Sequence, residues 1–323
     1  MSCVATAVAA ETQPVDIYVI MDQSVSMDEP LDGVSGPRRW DGVRAALSSF
    51  VDSPGAQDIR IGINYFGDTR PPYDCNAQDY FTPEVAIGPL PDVAQAIKDS
   101  INSREPLGFT PTFPALDGGI QFAQQHRLDN PGRATIVLLV TDGLPFSQAP
   151  DPSTGETVGC DDSVVSIAQL AEAGVTSPQQ IRTFVIGISA GVSNLEAIAS
   201  AGGGQAFIIG EGDLETQFAE ALLNIVAAPI ACDLAVPDAP SSDQVIDPEF
   251  VAVSFTSAAT NTRAEIPKLQ TSTDCGIVRN GQGWFFDDPI TPSMISLCPS
   301  TCQGLGAGAV NVELGCAPVL GIQ

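Results

Sequence analysis

Two hydrophobic periods alternate along the first two thirds of the chain. Val15 to Met21 (VDIYVIM) is a short apolar, β-branched run that stops abruptly at the polar stretch Asp22 to Asp28, as a buried parallel strand does at its carboxyl end. Beyond a Gly/Pro loop, Trp40, Val43, Leu47, Phe50 and Val51 recur at helical spacing. Ile59 to Phe66 is the next predicted strand. Helices follow at Val93, Ile97 and Ile101, introduced by Pro91, and at Phe113, Leu116, Ile120 and Ala123. The second of these is introduced by Thr110-Pro111, which fits an N-cap followed by proline at the first helical position. Ala134 to Thr141 (ATIVLLVT) is the clearest strand and is closed by Asp142-Gly143. Residues 144 to 162 read as a polar loop. A helix with Ile167, Leu170 and Ala171 inward, a strand at Ile181 to Ile188, a short helix at Leu195 to Ala199, a strand at Ala206 to Ile209 and a helix lined by Leu214, Phe218, Leu222 and Ile225 complete the series. Strands and helices in this alternation predict an α/β fold: a doubly wound, mainly parallel sheet covered on both faces, as in Rossmann-like folds.

The pattern changes near Pro229. From there to Gln323 no convincing helix is expected, only short β-prone runs at Val251 to Thr256, Trp284 to Phe286 and Ala309 to Leu314. Cys232, Cys275, Cys298, Cys302 and Cys316 also fall in this tail, which therefore reads as a small all-β module tied by disulfides. The expected organisation is an N-terminal segment over 1–12, an α/β domain over 13–227 and a cysteine-rich β module over 228–323.

Composition narrows the partners and the compartment. Thirteen Lys+Arg against 39 Asp+Glu leave a net charge of −26, which repels phosphate backbones and anionic lipid and excludes nucleic acid as an expected partner. Eight cysteines point to disulfides in an oxidising setting, either extracellular, at the cell surface or periplasmic. Met1 to Ala10 has no basic n-region and too short an apolar run for a signal peptide, so the targeting segment that export requires is expected to be missing from this sequence. No stretch reaches the roughly 20 apolar residues that span a bilayer. Cys3 could carry a lipid, but Met-Ser before it is not a lipobox and a disulfide is the favoured reading.

Candidate chemistry gathers where an open α/β sheet binds ligands, beyond the carboxyl ends of its strands. Asp22-Gln23-Ser24-Val25-Ser26 follows the first strand, Asp142-Gly143 follows the strand at 134–141, and Gly108-Phe109-Thr110-Pro111-Thr112 precedes a helix. Together they offer hydroxyls and carboxylates and neither imidazole nor thiolate, the donor set of a hard cation. Three hydroxyls and two carboxylates leave a magnesium ion a coordination position for a carboxylate from elsewhere. Each fragment alone is an ordinary cap or turn; the signal lies in their joint occurrence.

These motifs resemble the von Willebrand factor type A family over residues 13 to 227. The resemblance implies a metal ion-dependent adhesion site in which Ser24, Ser26 and Thr110 touch the ion and Asp22 and Asp142 hold coordinated waters. It implies Mg²⁺ as the ion, with Mn²⁺ or Ca²⁺ as alternatives, and a protein ligand that presents an acidic residue. Val25 departs from the family, which often has glycine there. The tail, with Gly283-Trp284-Phe285-Phe286-Asp287-Asp288-Pro289 and Cys298-Pro299-Ser300-Thr301-Cys302, resembles the cysteine-rich extension of certain bacterial exported proteins with such a domain.

Competing readings are weaker. His126 is the only histidine and is expected on a helix end away from the site, which disfavours a Ser-His-Asp centre. With no phosphate-binding Gly-Lys loop and only Lys98 and Lys268, nucleotide hydrolysis is not expected. A Mg²⁺-dependent hydrolase and a scaffold whose metal only stabilises loops stay as alternatives. Cys275, Cys298, Cys302 and Cys316 could form a zinc site but lack a suitable paired spacing; Cys75 and Cys160 are a candidate bond near the metal face. Trp284 to Phe286 reads as core rather than binding patch. Asp74 to Asp79 and Asp161-Asp162 read as solvated loop carboxylates rather than a Ca²⁺ loop.

Overall fold

The structure is a computed structural model that describes residues 14–318, apart from 32, 34, 58, 68–74, 131–132, 148, 151–156, 189–192, 211–212, 228–232, 237–243, 258–259, 277–281, 291, 293, 305–307 and 314–315. The N-terminal segment 1–12, Cys3, Asp74 and Cys232 lie outside the described residues. The chain divides into two compact units, one of Pro14–Ala228 and one that contains Pro229–Gln323.

In the first unit the elements run β1 (Val15–Asp22), α1 (Arg39–Val51), β2 (Arg60–Phe66), β3 (Val85–Pro89), α2 (Ala94–Asn102), α3 (Thr112–Asp129) and β4 (Ala134–Thr141). After a two-residue ladder, β5 (Ala149–Pro150) with β6 (Thr157–Val158), come α4 (Val164–Thr176), β7 (Arg182–Ile188), α5 (Ser193–Ala201), β8 (Gly203–Ile209) and α6 (Leu214–Ala227). The central sheet has the order β3-β2-β1-β4-β7-β8, parallel except where β3 runs antiparallel to β2. Every residue of β1 and β4 is buried, because a central parallel strand is covered on both faces and must be apolar on both. Alternate side chains point to opposite faces. Tyr18, Ile20, Val137, Leu139 and Val185 pack with residues of α3, α4 and α5, and α1 packs on α2 and α6.

Three local expectations need correction. The sequence pattern does not show β3, since an edge strand with a half-exposed face has no continuous apolar run. The loop over 144–162 contains the β5–β6 ladder. Thr110 is not the N-cap of α3: its N–H donates to the Phe146 carbonyl at 2.7 Å and its carbonyl accepts from the Phe146 N–H at 3.2 Å, so it is held extended, and the helix starts at Thr112 with Pro111 as its cap.

The second unit holds small antiparallel ladders: β9 (Asp233–Ala235) with β14 (Met294–Leu297) and β13 (Trp284–Phe286), β10 (Gln244–Ile246) with β16 (Cys316–Pro318), and β11 (Ala252–Ser257) between β12 (Arg263–Ile266) and β15 (Gly308–Glu313). Trp284, Phe285 and Phe286 are buried, so this aromatic run is core and no exposed binding patch. A helix does occur here, α7 (Pro299–Gly304); at one and a half turns it is too short for periodicity to reveal, and proline at its first position costs no backbone bond. Cys275 and Cys298 are bonded, Cys302 is likewise oxidised, and the described residues include no free cysteine, which removes the zinc alternative for these thiols.

Candidate functional site

The register of the sheet builds the site. Met21 of β1 is paired with Val140 of β4, so the next residues, Asp22 and Thr141, emerge side by side at the carboxyl edge. The Thr141 hydroxyl donates to Asp22 Oδ2 at 2.6 Å, and the Ser24 N–H donates to Asp22 Oδ1 at 2.7 Å. Ser24 Oγ lies 2.9 Å from Ser26 Oγ, and the Ser26 hydroxyl donates to Asp142 Oδ1 at 2.9 Å. Four of the five predicted residues, Asp22, Ser24, Ser26 and Asp142, therefore form one hydrogen-bonded chain across loops more than a hundred positions apart in sequence.

The fifth joins through the backbone. The Val25 N–H donates to the Gly108 carbonyl at 3.1 Å and the Leu107 N–H to the Gln23 carbonyl at 2.6 Å, which ties the loop before α3 to the serine loop. Pairing of Thr110 with Phe146 ties it to the loop that carries Asp142. Thr110 is buried at this edge.

Electrostatics mark the same place. Burial pushes the Asp22 carboxyl up to about 7, with the charge of Asp142 adding to the rise and the bonds from Thr141 and Ser24 opposing it. Asp142 is raised too, again by burial, against the lowering pull of Arg39 and Ser26. Two buried carboxylates close to each other are short of positive charge. With only oxygen donors around them, Asp22, Ser24, Ser26, Thr110 and Asp142 suit a hard divalent cation by donor chemistry and by charge. Among the described residues no group of three or more His, Cys, Asp or Glu is placed to hold a metal, at this edge or elsewhere, so the fit rests on the hydroxyls together with the two carboxylates.

Several contributors escape the motif reading. Thr141, half of the Thr-Asp-Gly signal, clamps Asp22. Gly67 follows β2 with φ of +119°, and a Cβ there would stand 2.6 Å from the Ser24 nitrogen, so only glycine lets the serine loop lie against this strand end. Arg39, at the start of α1, donates to Asp142 Oδ2 at 2.7 Å; nothing in a helix-start arginine announces this contact. Ser147 donates through its N–H and hydroxyl to Asp162, at 3.0 and 2.6 Å, so that carboxylate organises a loop and is not simply solvated. Cys75 and Cys160 are bonded, as expected. His126 is far from the site, its Nε2 2.7 Å from Asp16 Oδ2 at the opposite end of β1.

Solved structures that the chain resembles include an aerotolerance-related membrane protein from Bacteroides fragilis (16% identity, 66% of this chain and 98% of that one, TM-score 0.44). Others are the PilB minor pilin from Streptococcus sanguinis (17%, 67% and 63%, 0.47) and the manganese-loaded TRAP protein from Plasmodium vivax (16%, 68% and 74%, 0.40). Likenesses this distant carry no argument about function. No curated protein shows a significant match. The profile of the von Willebrand factor type A domain matches residues 16–220, which takes in all five residues gathered at the sheet edge, and the chain belongs to that family.

Proposed function

We propose that the α/β unit captures a partner protein through a divalent cation, Mg²⁺ in the first place, outside the cytoplasm. Ser24, Ser26 and Thr110 would hold the ion, with Asp22 and Asp142 compensating its charge, and a carboxylate of the partner would complete its coordination. The observation that carries this reading is the hydrogen-bonded chain from Asp22 through Ser24 and Ser26 to Asp142, assembled from separate loops around two buried carboxylates. Bound there, the ion would supply a Lewis-acidic position for an acidic side chain.

A protein partner is supported by what surrounds the site. Val25, Leu107, Leu144 and Phe146 lie on the same loops and are 63%, 52%, 51% and 57% exposed, while Phe109 packs against Phe146 with ring centroids 6.0 Å apart. Large apolar side chains clustered on the loops of an acidic protein favour burial against another surface. The disulfides Cys75–Cys160 and Cys275–Cys298 support an oxidising compartment. Among the described residues no histidine or lysine is bonded to the site, so a binding role is favoured over catalysis.

The test is calorimetric titration with Mg²⁺ and Mn²⁺, followed by capture from a cell-surface extract with and without chelator. Asp22→Ala and Thr110→Ala should each abolish cation-dependent capture while the domain still melts cooperatively. Unchanged capture in both variants refutes the proposal. If chelation lowers the melting temperature yet leaves capture intact, the cation is a loop stabiliser and the scaffold reading replaces this one.

A further inference from the structure

Arg38 and Arg39 are neighbours in sequence with opposite destinations. Arg38 turns outward, where its guanidinium meets Asp28, Asp41 and Glu105. Arg39 turns inward: its side chain is only 12% exposed, and its partner Asp142 has a side chain that is 0% exposed. Nη1 of Arg39 lies 2.7 Å from Asp142 Oδ2, 3.3 Å from the Ser26 carbonyl and 3.2 Å from Glu29 Oε2. Its Nε is buried with no hydrogen-bond partner. A guanidinium placed in this way leaves one donor unsatisfied, which is costly, so its position answers to charge rather than to full hydrogen bonding.

We propose that Arg39 is a resident counter-charge for the candidate cation site, holding Asp142 in place when no ion is bound and weakening divalent-cation binding until a partner carboxylate arrives. The inference rests on the cation-site reading above. Before the ion binds, Asp22 and Asp142 face a single guanidinium, and the remaining negative charge attracts a divalent cation. Once the ion is in place, the same two carboxylates face an excess of positive charge. That excess repels the cation and Arg39 from each other and is relieved when a further carboxylate joins. Cation and acidic partner therefore bind cooperatively, because each supplies what the other leaves unbalanced. Glu29, Asp28 and Glu105 also lie near the two arginines, but all three are well exposed and screened by solvent, so they balance Arg39 only weakly.

The probe is Mn²⁺ alone, titrated into the full chain by calorimetry and by water-proton relaxation. Failure of the wild-type chain to bind Mn²⁺ would remove the underlying site, whatever Arg39 does. Given binding, Arg39→Gln should bind Mn²⁺ about tenfold tighter, and Arg39→Lys, which keeps the charge, should stay within about twofold of wild type. Unchanged or weaker binding in Arg39→Gln overturns the proposal, as does a lysine variant that behaves like the glutamine one. Thermal melts guard against misfolding: Arg39→Gln should lose stability in chelator and regain it in Mn²⁺, with a larger ion-induced rise in Tm than wild type. A glutamine variant that stays unfolded in saturating Mn²⁺ also overturns the proposal, since Arg39 would then be needed with the ion in place.

Discussion

Asp22 is the residue on which the site turns. It ends a strand whose eight residues are all buried, so its carboxyl is carried inward by its neighbours and is met there by Thr141 and Ser24. Because burial raises its folded-state pKa from 3.8 to about 7, the folded, ion-free protein keeps a proton that the unfolded chain has already released between those values. Stability of the ion-free protein should therefore fall as pH rises from about 4 to about 7, the sign set by more protons bound in the folded state. Asp142 shifts in the same direction and reinforces the trend. Saturating Mg²⁺ favours the ionised carboxylates and should remove or reverse the slope. Melting temperatures in chelator and in Mg²⁺ at both ends of this range check it; an ion-free protein that is equally or more stable at the higher pH would contradict the buried-carboxylate account. At this scale the motif reading picked out five oxygen-bearing residues that gather at the sheet edge, because residue type and order are written in local sequence. It missed Arg39 and Gly67, whose roles exist only through residues that meet them from other elements.

Among the elements, strand ends do the positioning. The pairing of Asp22 with Phe66 brings the residue after β2, Gly67, against the serine loop, where its glycine identity is required by both a left-handed backbone and the close approach of Ser24. Gly67→Ala should cost about 1–3 kcal/mol of stability and weaken Mn²⁺ binding, because relief of the contact moves Ser24. Chemical denaturation and calorimetry on the same sample check this, and wild-type values for both would show that the loop does not rest on this strand. Central strands were legible because burial on two faces writes a continuous apolar run. The edge strand β3 and the six-residue helix α7 were not, since half-exposed or very short elements impose too little pattern. Thr110-Pro111 imitated a helix cap, and pairing with Phe146 overrode that local preference.

For the whole molecule, charge and crosslinks dominate. The chain carries a net charge of −26, so its long-range field concentrates cations while salt screens it. Mn²⁺ affinity should fall steadily as sodium chloride rises from about 0.05 to about 0.5 M, and an affinity independent of salt would mean that only the local residues matter. The Cys75–Cys160 bond links positions 85 residues apart, and closing so long a loop restrains the unfolded chain by roughly 4.5 kcal/mol in the chain-entropy view. Cys160 is also held to Ser147, whose hydroxyl accepts its N–H at 2.9 Å, so the crosslink and the Asp162 clamp act on one loop.

Sequence alone determined the alternation of buried strands and amphipathic helices, the oxygen-only donor set of Asp22, Ser24, Ser26, Thr110 and Asp142, and the acidic, cysteine-bearing character of the chain. These are properties of composition and local period, and they survive without knowledge of which elements touch. Tertiary structure alone decided that Thr141 clamps Asp22, that Gly67 must lack a side chain, and that Arg39 rather than Arg38 reaches Asp142. Strand register and helix orientation set those pairings, and both come from how distant segments pack against one another.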